Sequence, residues 1–447
     1  MFVKTIVPSL IISYLTFGSC LTFAQGGPAP PPPPPGAGPG APRAGRPLPG
    51  LSQEELAFFN EGVSRFLEID SVSGTQPGAT GSGLGPRFNL NSCAGCHAFP
   101  APGGSSPQLN PQIPMATNFG ATNTIPAFIQ QNGPVRVARF VKNSDGTPDG
   151  GVHDLFVVTG RSDAAGCTIA QPDFATAAAQ NNLSLRIPTP VFGAGLIEAI
   201  MDSTILANKS ANAQLKAQLG IAGHENRNAN DGTITRFGWK AQNKSLEIFG
   251  GEAYNVEQGV TNEVFPTERD ETPGCGFNAT PEDHTDTTAT SILQSISDVT
   301  GFAAFMRFLA PPQPAPDNPS IVNGRQLFAQ IGCSACHTAV LITGNAASPA
   351  LRTQQVYLYS DLLVHAMGSG LADGVAQGTA QGNEWRTAPL WGLGQRIFFL
   401  HDGRTSDLGQ AIAAHSSPGS EANAVVAAYN ALTVAAKQDI QNFLRSL

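Results

Sequence analysis

Two copies of one pentapeptide pattern carry the chemistry of this chain: Cys93-Ala-Gly-Cys96-His97 and Cys333-Ser-Ala-Cys336-His337. Thiols at that spacing can add across the two vinyl groups of a haem, and the adjacent histidine then lies under the iron as its proximal ligand. A zinc site needs four convergent ligands, so two distant pairs would have to meet and both trailing histidines would go unused. A thioredoxin-like dithiol has no use for the histidine either. The spacing therefore predicts two covalently bound c-type haems. Cys93, Cys96, Cys333 and Cys336 are the attachment points, and His97 and His337 are the iron ligands.

Haem of this type is attached outside the cytoplasm, where disulfides also persist. Lys4 precedes an apolar run through Ile6, Leu10, Ile11, Ile12, Leu15 and Phe17, and Thr22-Phe23-Ala24 offers small residues for cleavage. These features predict a signal peptide over residues 1–24 and a periplasmic protein. A lipid anchor on Cys20 is the alternative, disfavoured by the bulky Phe17. No other apolar stretch approaches the ~18 residues of a membrane span. With four of seven cysteines on haem and Cys20 in the signal, Cys167 and Cys275 remain, as a disulfide or as two buried thiols. The net charge of −8 becomes −9 without Lys4. That balance argues against nucleic acid or an anionic lipid surface as partner.

The elements that must position these motifs follow. Forty-nine glycines and 36 prolines in 447 residues imply a loop-rich chain. Residues 25–50, with Pro30 to Pro35 unbroken, read as an extended linker. Ser52 and Glu55 form a capping box for a helix with Leu56, Phe59, Val63 and Phe66 on one face. Residues 135–142 and 152–158 read as strands, and residues 192–207 as a helix with Leu196 and Ile200 on one side. The proline-rich break at 311–316 separates an N-terminal haem domain, 51–310, from a C-terminal one, 318–447. In the second, a helix over 323–331 with Leu327 and Phe328 inward leads to Cys333. A helix from Thr433 with Ile440, Phe443, Leu444 and Leu447 closes the chain. This is the plan of a small cytochrome c. The expected fold is mainly α, with two cytochrome c-like haem domains, the N-terminal one elaborated with loops and a few short strands.

A filled sixth position on the iron carries electrons, whereas an open one binds a small oxidant. In the cytochrome c plan that ligand precedes the terminal helix, where His415 lies; Met367 and His401 come earlier, and a surface histidine is the competing reading.

Several segments resemble the di-haem oxidoreductase family, which is related to bacterial di-haem cytochrome c peroxidases and MauG-type enzymes. They are Gly83-Leu84-Gly85-Pro86-Arg87-Phe88-Asn89, Gly193-Ala194-Gly195-Leu196-Ile197-Glu198-Ala199-Ile200 and Arg236-Phe237-Gly238-Trp239-Lys240-Ala241. Tyr357-Leu358-Tyr359-Ser360-Asp361-Leu362-Leu363, Gly370-Leu371-Ala372-Asp373-Gly374, Glu384-Trp385-Arg386-Thr387-Ala388-Pro389-Leu390-Trp391-Gly392 and Leu400-His401-Asp402-Gly403-Arg404 complete the set. The likeness spans residues 51–447.

The resemblance implies unequal haems: a C-terminal electron-transfer centre ligated by His337 and His415, and an N-terminal substrate site. It implies that Trp239 relays electrons between them, with a buried core aromatic as the other reading. Asn255-Val256-Glu257-Gln258-Gly259 resembles the stretch bearing the peroxidases' distal glutamate, so Glu257 is the candidate general acid–base, against a solvated surface glutamate. Glu198 is an outside candidate.

Phe249 and Gln258 depart from the peroxidase pattern, where glutamine and methionine stand, which leaves room for dioxygen chemistry. Relatives hold calcium between the haems. Thr387 and Pro389 match part of that site, and the oxygen-rich loop at Asn226, Asn228, Asn230 and Asp231 lacks EF-hand order, so calcium is an open candidate. The expected activity is hydrogen peroxide reduction with electrons from a small cytochrome c or a cupredoxin. A haem-dependent oxygenase or protein-modifying oxidase and a non-enzymatic electron carrier are the alternatives. The oligomeric state is open.

Overall fold

The computed structural model describes residues 44–447; the signal peptide, Cys20 and the proline run lie outside the described residues. Ser52 accepts the Glu55 backbone N–H and Glu55 accepts that of Ser52, a reciprocal cap that starts the Gln53–Phe66 helix. Phe59 and Phe66 are buried and Val63 half-buried, whereas Leu56, expected on the same face, is exposed. This helix packs on the Asp298–Phe308 helix. The approach is close because residue 62 is glycine: a Cβ there would stand 2.3 Å from the Gly301 carbonyl oxygen.

The same arrangement recurs around the second motif. The Pro319–Gln330 helix, capped by Asn318, packs on the Val434–Ser446 helix, capped by Thr433. It begins before the expected residue 323, with proline in the first turn, where a missing N–H costs no helical bond. Gly324 permits the crossing, since a Cβ would lie 1.9 Å from the Asp439 carbonyl oxygen. Phe328, Ile440, Phe443 and Leu444 form the core between the pair, with Leu327 and Leu447 half-buried beside it.

In both halves the first helix delivers an aromatic ring to the histidine. Phe66 and His97 have centroids 6.1 Å apart, as do Phe328 and His337.

Three expectations change. Residues 152–158 are two short strands, Val152–His153 and Phe156–Val157, in different sheets. The first joins Val137–Phe140 and Leu183–Arg186 in an antiparallel sheet; the second pairs with Arg87–Phe88. Between them the Leu155 N–H donates to Asn89 Oδ1 and Asp154 accepts from the Asn89 amide and Arg269, so the intervening backbone leaves the ladder. The expected helix over 192–207 is interrupted, giving Ala194–Glu198 and Asp202–Ser210. Ile200 bridges to Thr343 and its carbonyl accepts from the Arg236 guanidinium, so tertiary bonds replace helical ones there. The end of the expected linker is docked: Leu48 is buried, its N–H bonds the Phe308 carbonyl, and Pro47 bridges Leu309.

Cys167 and Cys275 form a disulfide. Residues 311–316 carry no helix or strand. No helix among the described residues is long and apolar enough to cross a membrane.

Candidate functional site

Each Cys-x-x-Cys-His opens onto a cavity. The C-terminal one, about 220 Å³, is lined by Cys333, Cys336, His337 and His415 together with Met367, His401 and Arg396. The N-terminal one, about 110 Å³, is lined by Cys93, Cys96, His97, Arg139, Glu252 and Glu257. A third, about 30 Å³, shares Arg386, Arg396 and Trp239 with the first and Phe249 and Trp239 with the second. Trp239 thus stands in the wall of all three. Its indole N–H donates to the Ile187 carbonyl, 2.8 Å away, which fixes the ring plane.

The donor sets fit haem. The ring Nδ1 of His97 donates to the Gly104 carbonyl at 3.0 Å, and that of His337 to the Tyr359 carbonyl at 2.9 Å. A carbonyl can only accept, so Nδ1 carries the proton and Nε2 keeps its lone pair for a metal. Burial lowers both pKa values to about 4, so the rings are neutral at pH 7. His415 repeats the device, its Nδ1 donating to the Ala411 carbonyl at 2.8 Å, with burial lowering its pKa. Burial raises the thiols instead, Cys333 to about 12.

The other C-terminal histidines are held differently. His365 uses both ring nitrogens, on Asp361 at 2.9 Å and Glu421 at 2.7 Å. His401 stacks on Trp385 at 3.8 Å and has no Nδ1 hydrogen bond among the described residues. Cys336, Asp361 and His365 are the one grouping of three metal-type side chains with converging donors among the described residues, and its histidine is already occupied.

Around the N-terminal motif the chain is tied to the Leu246–Gln258 helix. The Glu257 carbonyl accepts the Asn89 N–H at 2.7 Å, the Asn89 amide bonds Val256, and the Gln258 amide donates to Cys93 Sγ at 3.2 Å. Those contacts satisfy carbonyls in the last turn of the helix and fix Glu257 relative to the motif. The Glu257 carboxyl makes no hydrogen bond among the described residues. Burial, reinforced by Glu252 and opposed by Arg139, pushes it up to about 7. Phe249, where the peroxidase pattern has glutamine, lines this cavity and stacks on Phe237 at 5.9 Å.

Glu198 lies elsewhere. It accepts the Leu246 N–H and pairs with Arg307 at 2.8 Å, and it lines neither cavity at a Cys-x-x-Cys-His motif. Thr387 lines the C-terminal cavity and Pro389 the intervening one. In the oxygen-rich loop, Asn226 bonds the Lys240 and Gln377 carbonyls and Asp231 pairs with Lys244, so these groups have protein partners. The sequence reading missed Arg139, Glu252, Arg386 and Arg396. Glu252 sits on the helix of Glu257, a same-helix signal that was available; the arginines owe their position to distant segments.

A family model described as "Di-haem oxidoreductase, putative peroxidase" matches residues 138–447, a range that holds the second haem motif and begins after the first. No curated protein matches. Solved structures resemble parts of the chain. Hydrazine synthase from Kuenenia stuttgartiensis is 16% identical, with a TM-score of 0.23, over 35% of this chain and 58% of that one. The diheme peroxidase BthA from Burkholderia thailandensis is 17% identical, TM-score 0.29, over 47% and 65%. A MauG-like protein associated with microbial copper homeostasis is 15% identical, TM-score 0.28, over 56% and 89%. The chain thus spans less than two thirds of the first two.

Proposed function

This chain belongs to the di-haem oxidoreductase family and is an oxidoreductase, and on that premise we propose that it reduces hydrogen peroxide at the N-terminal cavity. The observation that carries this reading is Glu257: a carboxyl without a hydrogen-bond partner, raised to about 7, in the cavity of Cys93, Cys96 and His97. Two c-type haems would be held by Cys93 and Cys96 and by Cys333 and Cys336, in cytochrome c-like domains over 51–310 and 318–447. When bound they supply one-electron chemistry and a reactive iron face.

The chain's own residues do the rest. The Glu257 carboxylate takes a proton from one oxygen of hydrogen peroxide and returns it to the other, which departs as the first water as the O–O bond breaks, while two electrons and two protons from solvent carry the remaining oxygen to the second water. A carboxyl with a pKa near 7 is matched to both directions of transfer at neutral pH. Arg139, still charged at neutral pH although burial lowers it to about 10, supplies a positive neighbour to the ionised form. His337 and His415 would ligate the iron of the C-terminal haem, and Trp239 relays electrons between the cavities. The two electrons come from a small cytochrome c or cupredoxin in the periplasm, reached by cleavage of residues 1–24.

Changing Glu257 to Gln should lower peroxide turnover by roughly 100-fold or more, with both haem spectra retained. In the parent protein kcat/KM for peroxide should fall as pH drops through about 7, because the carboxylate is then already protonated. That limb should vanish in the variant. Unchanged turnover would remove Glu257 from the reaction.

A second reading rests on Phe249. An apolar ring where the peroxidase pattern has an amide suits dioxygen and an apolar substrate, and oxygen uptake without added peroxide would establish it.

A further inference from the structure

Arg396 is a buried cation without a partner. Only 8% of the residue is exposed, its Nε and Nη2 meet neither solvent nor an acceptor, and the side chain makes no hydrogen bond among the described residues. No carboxylate faces it, and burial alone lowers its pKa, to about 10. Arg386 lies beside it, 9% exposed; its Nε donates to the Gly238 carbonyl, its terminal nitrogens make no hydrogen bond among the described residues, and the two cations repel.

Three other buried arginines each have a carboxylate partner: Arg186 pairs with Asp373, Arg161 with Asp163 and Arg236 with Asp202. A desolvated pair of like charges persists where an anion lies between them.

Both arginines line the C-terminal cavity and the small one beside it, with Pro389 and Trp391. The cysteines belong to another wall, packed on Leu219, Ile221 and Val425. A porphyrin carries its two carboxylates on the edge away from its vinyl groups. Thiols in one wall therefore call for cationic forks in a different one.

We infer that Arg386 and Arg396 form a carboxylate-binding pair that holds the propionates of the haem anchored at Cys333 and Cys336. This rests on the proposed haem sites and deepens them. A guanidinium fork matches a carboxylate in geometry as well as charge. The Arg386 N–H donates to the Trp239 carbonyl at 2.9 Å, so the carboxylate site adjoins the residue shared by the cavities.

The test uses the two-haem protein with Arg396→Gln, Arg386→Gln and Arg396→Lys. Haem content, the reduction potential of the C-terminal haem and the propionate bending band in resonance Raman spectra are read. With both haems retained, either Gln variant should lower the potential, because losing a positive neighbour favours the oxidised iron, and should shift the propionate band. The Lys variant keeps charge but not the fork, and should shift the band with a smaller change in potential. Added formate should leave the parent protein unchanged. An unmoved band and potential in the Gln variants would overturn the assignment. So would a parent potential that follows formate, which would mark a site for a free anion. Absence of haem from Cys333 and Cys336 in the parent protein would instead sink the haem reading beneath the inference.

Discussion

The two cavities share one half of their construction and differ in the other. In each, a capped helix crosses a late helix at a glycine, delivers a phenylalanine to the histidine, and a backbone carbonyl fixes that histidine's tautomer. The remaining walls diverge. The C-terminal cavity presents His415, already oriented by Ala411, as a second histidine facing the same space as His337. No second histidine lines the N-terminal cavity; Glu257, Glu252 and Arg139 stand there, with Met306 as its methionine sulfur. On the proposed reading, one scaffold yields a site that stores an electron and a site that handles protons, and the difference lies in a few side chains over a common frame.

The comparison is broken most severely by removing attachment on one side at a time. Replacing Cys93 and Cys96 with Ala should leave one covalent haem per chain by mass and abolish peroxide turnover. Replacing Cys333 and Cys336 should also leave one haem, with turnover lost because electrons no longer enter. If either variant keeps two haems, the assignment of that motif fails.

A smaller effect should follow from His415→Met. Exchanging an imidazole for a thioether ligand raises the potential of the C-terminal haem, leaving the N-terminal spectrum alone. A potential that stays put would show that His415 does not reach the iron. Met306→Leu sharpens the contrast from the other side: the N-terminal spectrum should not change, and a change would make the sulfur a ligand.

The mildest outcome is expected from Trp239→Phe, which leaves both spectra intact while slowing electron transfer between the haems, as flash reduction would record. Loss of the bond to Ile187 should cost about 1 kcal/mol of stability, measurable by denaturant titration. Unaltered transfer would return Trp239 to a packing role.

What the sequence made legible follows from how local the determinants are. The Ser52–Glu55 cap, the Thr433 cap and the Cys-x-x-Cys-His spacing are written within a few residues, and the structure has helices starting where the caps stand. His415, Trp239 and Glu257 were placed by motif order, and each lines a cavity bearing a haem motif. The break at Ile200 was not legible because Arg236 and Thr343 impose it from far along the chain. Arg396 was invisible for a similar reason. Nothing in Gly394-Gln395-Arg396 marks it as buried, yet only 8% of the residue is exposed.

The account stands or falls on the inequality of the two irons, and its most direct test is spin state during a stepwise electron titration of the purified protein. After one electron per chain, the C-terminal haem should remain low-spin while the N-terminal haem is high-spin and consumes added peroxide. Two low-spin haems at every stage, with peroxide left untouched, would contradict it.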